Sequence, residues 1–215
     1  MNNNEQEVLT EEERDTLQEI MNIGFGSAAA DISEVIDLYV VLSVPTISVL
    51  KTSDLLEHIK SEIKDHNNIT IVEQNFFSKF KGLALLIFTL GAGKGLLSVL
   101  GKELDEEILE SDPMGMLEED LLLEVGNILI GACVGKIAEL LGDVVNYSPP
   151  RIITGNLADR ALSDDMSDPR NIVIILRTIF HFSSNSATGC LFLVTSHESV
   201  SWLKQALQTF LSQYE

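Results

Sequence analysis

Asp15, Glu19 and Asn22 recur 105 residues further along the chain as Asp120, Glu124 and Asn127. Positions i, i+4 and i+7 share one face of a helix, so each set forms a single polar stripe. Within a stripe, Glu and Asn stand about 4.5 Å apart along the axis. Pro45 and Pro150 follow the two asparagines, each after 22 intervening residues. The repeated pattern is Asp-x3-Glu-x2-Asn-x22-Pro. A carboxylate offers charge to a cation on a partner, and a carboxamide both donates and accepts hydrogen bonds at neutral pH. No nucleophile–base pair, metal-ligand cluster or phosphate-cradling loop accompanies these residues. A polar stripe on a solvated helix face would explain one copy. Its intact recurrence amid divergence (Met21 against Gly126, Gly24 against Leu129) favours a site.

The elements that must hold the stripes also recur. Leu17, Ile23, Gly26, Ile32, Glu34 and Ser43 match Leu122, Ile128, Gly131, Ile137, Glu139 and Ser148. A repeat of this length governs the architecture. Thr10 and Glu13 form a capping-box pattern that starts a helix running to about Leu38. Gly24 and Gly26 are expected to bend or divide it, and with Ala28 to let another backbone approach. "VVLSVPTISVL" reads as a β segment interrupted by Pro45. "NITIVEQNFF" and "KGLALLIFTL" read as two strands joined near Phe80, with "GKGLLSVLGKEL" as a closing helix. In the second half a helix from about Met114 to Leu141 carries the motif. "RIIT", "NIVIILRTIFHF" and "TGCLFLVT" supply strands, and "ESVSWLKQALQTFLSQY" closes as a helix. Residues 158–171 read as a polar loop. The expected fold is α+β, with internal duplication, pseudo-two-fold symmetry and antiparallel strands packed on long motif-bearing helices. It is read as one domain over residues 1–215, built from repeats at about 10–104 and 112–215.

The balance of 33 acidic against 14 basic residues, net charge −19, argues against nucleic acid and anionic membranes as partners. The polar, acidic opening lacks the pattern of a signal peptide. Its "EQEVLTEEERD" run suits a solvated helix start. The apolar stretch Leu121–Leu141 carries Glu124, Asn127, Lys136 and Glu139, and reads as a buried helix rather than a membrane span. Cys133 and Cys190 sit in apolar runs and read as core thiols of a reducing cytoplasm. "GAGKG" lacks phosphate-loop spacing and reads as a strand-to-helix turn. His58, His66, His181 and His197 lack metal-ligand spacing, and Trp202 reads as a packing residue.

The doubled pattern in "EIMNIGFGSAAADIS" and "EVGNILIGACVGKIAELL" resembles the CheC family of chemotaxis phosphatases, a superfamily that includes CheX and FliY. The resemblance covers nearly the whole chain. It implies hydrolysis of the aspartyl phosphate on a CheY-type response regulator. Asn22 and Asn127 would orient the attacking water, and Glu19 and Glu124 would pair with the regulator's lysine. Asp15 and Asp120 would support the docked surface, and Pro45 and Pro150 would shape the adjoining strands. An acyl phosphate is already activated, so catalysis of this kind is mainly positioning. The resemblance implies no cofactor of the chain's own, since Mg²⁺ resides on the regulator, and no metal site. It adds the CheD receptor deamidase as a second partner, and two motifs in one chain imply a monomer in the cytoplasm. The alternative is a non-catalytic module that docks regulators or CheD. Met21 stands where the family usually has Gly, as Gly126 does. Its larger side chain is expected to hold the substrate away from the first site.

Overall fold

The computed structural model describes residues 8–63, 69–89, 91–100, 115–155, 168, 170–182 and 187–212. The helices are α1 (Glu11–Ile36), α2 (Leu55–Glu62), α3 (Ala92–Leu100), α4 (Met116–Leu140) and α5 (His197–Leu211). The strands are β1 (Val40–Leu42), β2 (Thr46–Lys51), β3 (Ile69–Phe77), β4 (Gly82–Phe88), β5 (Asn146–Tyr147), β6 (Arg151–Gly155), β7 (Ile172–Phe182) and β8 (Thr188–Thr195). They form one eight-stranded sheet in the order β1-β7-β8-β4-β3-β5, with β2 also on β7 and β6 also on β3. Every strand pairing is antiparallel.

This order shows how the repeat is built. The hairpins β3–β4 and β7–β8 meet through β4 and β8 at the centre of the sheet. The short strands then exchange. First-repeat β1 and β2 lie on second-repeat β7, while β5 and β6 lie on β3.

Strand alternation sets two cores. In β4, Leu83, Leu85 and Ile87 face one side with Phe192 and Val194 of β8, joined by Leu55 and Ile59 of α2. Ala84, Leu86 and Phe88 face the other side with Leu191 and Leu193, under α1 and α4. A central strand covered on both faces needs an unbroken apolar run, which "LALLIF" supplies.

Several expectations are corrected. Glu11–Ile36 is one undivided helix despite Gly24 and Gly26. Pro45 does interrupt its β segment, leaving β1 and β2 as separate strands. The second repeat likewise gains the short β5 ahead of Pro149 and Pro150. Helix α2 was missed: Leu55 and Ile59 lie one turn apart and are buried together, which keeps this short amphipathic segment helical. Most of the loop read at 158–171 and the end of the first closing helix lie outside the described residues.

Capping and packing fix the motif helices. Thr10 Oγ1 accepts from the Glu13 backbone N–H, and the Glu13 carboxylate accepts from that of Thr10, completing the capping box. Glu13 is buried and pairs with Lys204 of α5 at 3.4 Å. Gly24 sits against Ile137 and Leu140 of α4, so the backbone approach that its missing side chain permits is by the other motif helix. Gly26 and Gly131 face open space. Asp31 and Lys136 hold equivalent places in the two repeats and pair at 3.3 Å between the helices. Trp202 packs on Phe80, ring centroids 6.3 Å apart. Met116–Leu140 is long and apolar enough to cross a membrane, but half of its most apolar window is buried against the rest of the protein.

Candidate functional site

Both polar stripes point outward. Asp15, Glu19 and Asn22 are exposed on α1, whereas Leu17, Ile20, Met21 and Gly24 are buried beneath them. Asp120, Glu124 and Asn127 are exposed on α4 above buried Leu122, Val125, Gly126 and Leu129. The structure therefore brings Asp, Glu and Asn of each set onto one accessible face, as the spacing requires. The first turns add exposed Glu11 and Glu12 on α1 and exposed Glu119 on α4. Each site thus carries a strongly anionic rim, suited to a cationic partner surface.

The prolines are not at the surface of the stripe. Pro45 is buried, and its carbonyl accepts from Gln18 Nε2 on α1, 2.5 Å away. One turn earlier, Arg14 donates to the Ile47 carbonyl at 2.9 Å. These bonds clip α1 to Pro45, between β1 and β2, and to the start of β2. Pro150 is half-buried and lies between β5 and β6.

Met21 corrects the expectation built on it. It is fully buried, and so points into the core rather than toward an approaching partner. The equivalent Gly126 also faces inward. A Cβ there would lie 2.8–2.9 Å from three atoms of Val72 on β3, so glycine lets α4 rest on the sheet. The difference between Met21 and Gly126 is one of packing, not of access to the stripe.

Sequence reasoning missed the residues behind the stripes. The sheet register aligns Gln74 with Thr178, since Arg151 lies opposite Glu73 and its repeat counterpart Thr46 lies opposite Arg177. Hydrogen bonds agree. Ser43 N–H donates to the Ile179 carbonyl at 2.8 Å, and Ile179 N–H donates to Ser43 Oγ at 3.0 Å. Ser148 repeats both bonds with Asn75, at 3.0 and 3.1 Å. Thr178 Oγ1 donates to the Ser43 carbonyl at 2.7 Å, and Gln74 Nε2 donates to the Ser148 carbonyl at 2.9 Å. The symmetry then breaks. Gln74 Nε2 also donates to Asn127 Oδ1, 2.9 Å away. Thr178 has no such reach, and the Asn22 carboxamide has no hydrogen-bond partner among the described residues. Gln74 itself is buried. Its Oε1 lacks a partner among the described residues, a condition that costs about 1–3 kcal/mol. A glutamine between strand neighbours was the available signal, as was the recurrence of Ser43 as Ser148.

Beside the second site, Tyr147 donates from its hydroxyl to the Gly131 carbonyl at 3.1 Å. Burial, with a smaller contribution from Cys133, pushes this phenol up to about 12. Among the described residues no group of three or more His, Cys, Asp or Glu is placed to hold a metal ion.

Two long helices, each carrying Glu and Asn outward over a shared antiparallel sheet, define a duplicated α+β protein with a candidate site on each half. The CheC-like family model matches residues 12–49 and again 117–154, segments that contain both stripes and both prolines. At these two segments the chain is similar to the CheC-like family. It is 22% identical over 169 residues to the flagellar motor switch phosphatase FliY of Bacillus subtilis (strain 168). That match takes in 77% of this chain but only 42% of the relative's length. Among solved structures, Thermotoga maritima FliY superposes with a TM-score of 0.70 at 21% identity, covering 94% of this chain and 99% of that one. The FliM middle domain from H. pylori gives 0.62 at 8% identity, covering 92% and 99%. These likenesses establish the fold.

Proposed function

We propose that this chain is a phosphatase that hydrolyses the aspartyl phosphate of a phosphorylated CheY-type response regulator. Asn22 and Asn127 each orient an attacking water, and Glu19 and Glu124 each pair with a lysine of the regulator. Asp15 and Asp120 extend the docking face. The observation that carries this reading is the duplicated Glu/Asn pair, held outward on long helices above buried Leu17, Ile20, Met21 and Gly24 in one repeat and Leu122, Val125, Gly126 and Leu129 in the other. Each stripe offers only carboxylates and a carboxamide, with no Ser, Cys or His at its three positions. It fits a substrate that supplies an activated phosphoryl group, its own Mg²⁺ and a positive charge, leaving water placement to this chain. The relative named as a phosphatase supports the reaction class.

The test is phosphate release from a phosphorylated receiver domain. Asn22→Ala and Asn127→Ala should each leave turnover, and the double variant almost none. A folded double variant that keeps most of its turnover would overturn the water-orienting role. Stoichiometric binding by the native protein without turnover would leave a docking module instead.

A further inference from the structure

Thr178 shows what the sheet needs at this position: a donor to the carbonyl of the facing serine, with nothing left unpaired. Gln74 meets that need through one Nε2 hydrogen and spends the other on Asn127, 2.9 Å away. The Ser148 carbonyl can only accept, so the Gln74 amide must turn its nitrogen that way. Asn127 must then answer with Oδ1, because two amide nitrogens would repel. This chain of bonds fixes the rotation of the Asn127 carboxamide. Its Nδ2 hydrogens and the second Oδ1 lone pair are left facing solvent. Asn22 has no equivalent restraint among the described residues.

We propose that Gln74 is a positioning residue for the second site, and that the two sites are therefore unequal. Asn127 is held in one orientation before substrate arrives, whereas Asn22 must be ordered during the reaction. The consequence for turnover rests on reading the asparagines as water-orienting groups. The restraint itself does not. Ordering a free carboxamide costs side-chain entropy that a pre-oriented one has already lost, and small misplacements of a catalytic group slow the reacting step.

The test has two arms. In full-length protein, side-chain ¹⁵N relaxation should give Asn127 a higher order parameter than Asn22. Gln74→Thr, which installs the residue the other repeat uses, should bring Asn127 down to the level of Asn22. In an Asn22→Ala background, Gln74→Thr should lower kcat for a phosphorylated receiver by roughly tenfold with KM little changed. Equal order parameters in the native protein, or an unchanged kcat in that background, would overturn the proposal. If native protein releases no phosphate, the phosphatase reading fails and the relaxation arm alone decides whether Gln74 positions Asn127.

Discussion

Gly126→Ala separates a packing role from helix propensity, because the two predict opposite signs. In a helix, Gly to Ala gains about 1 kcal/mol. Here the new Cβ would lie 2.8 Å from Val72 Cγ1 and 2.9 Å from both Cβ and Cγ2. Carbon pairs prefer about 3.5–4.0 Å, so the deficit is about 0.6–1.2 Å at three atoms together. Val72 cannot easily yield. It is fully buried, and a β-branched side chain has little rotamer freedom. The helix must lift from the sheet, at an overpacking cost of about 1–3 kcal/mol. Against the propensity gain, the expected outcome is a net loss of up to about 2 kcal/mol, or up to about 8 °C in Tm for a protein of this size. Lifting α4 by about 1 Å would also stretch the 2.9 Å bond from Gln74 to Asn127 beyond hydrogen-bond range. Denaturant unfolding of Gly126→Ala, Val72→Ala and the double variant closes a cycle. The double variant should be more stable than the sum of the single losses, with coupling of about 1 kcal/mol or more. A Gly126→Ala protein more stable than the native one, with no coupling to Val72, would refute the argument.

Met21→Gly should destabilise the fold by about 3–6 kcal/mol, combining the cavity left by a buried methionine with the helix penalty of glycine. Urea unfolding checks it, and near-native stability would mean that Met21 does not fill the core. The buried thiols set an alkaline limit. Burial pushes Cys133 up to about 12 and Cys190 up to about 11 from their usual 9. Unfolded chains lose these protons near pH 9 while the folded protein keeps them. The stabilising effect is thus complete below pH 9 and is lost as pH rises toward 11–12. The urea midpoint should fall between pH 8 and 10.5, and Cys133→Ala should flatten part of that slope. An identical slope in the variant would refute this assignment.

The motif helices were legible because their signals are local. The capping box, the repeated stripe and the run of apolar positions each lie within a few turns of chain. The doubly buried β4 was legible for the same reason. The partners of the short strands were not, because nothing near Val40 or Tyr147 indicates that each joins the opposite hairpin. Gly24 and Gly26 suggested a break by propensity, yet tertiary packing kept α1 whole. Met21 was misread because its face was judged from its neighbour Asn22. Adjacent helix positions differ by about 100°, and that rotation carries Met21 into the core. Gln74 looked like one more polar residue until the sheet register set it behind Asn127.

The exchanged short strands bear on how this chain is born. Ser43 and Thr178, which lock the β1–β2 segment to β7, are 135 residues apart, and Gln74 and Ser148 are 74 apart. At about 5–20 residues per second, the β1–β2 segment leaves the ribosome on the order of ten seconds before its partner strand exists. Through that interval the nascent first half holds an incomplete sheet, with apolar strand edges that its own sequence cannot cover. The first half can form its own β3–β4 hairpin, but β1 and β2 cannot pair until β7 exists. The sheet over which both stripes are held is completed only when the last third of the chain, with β5 to β8, has been made.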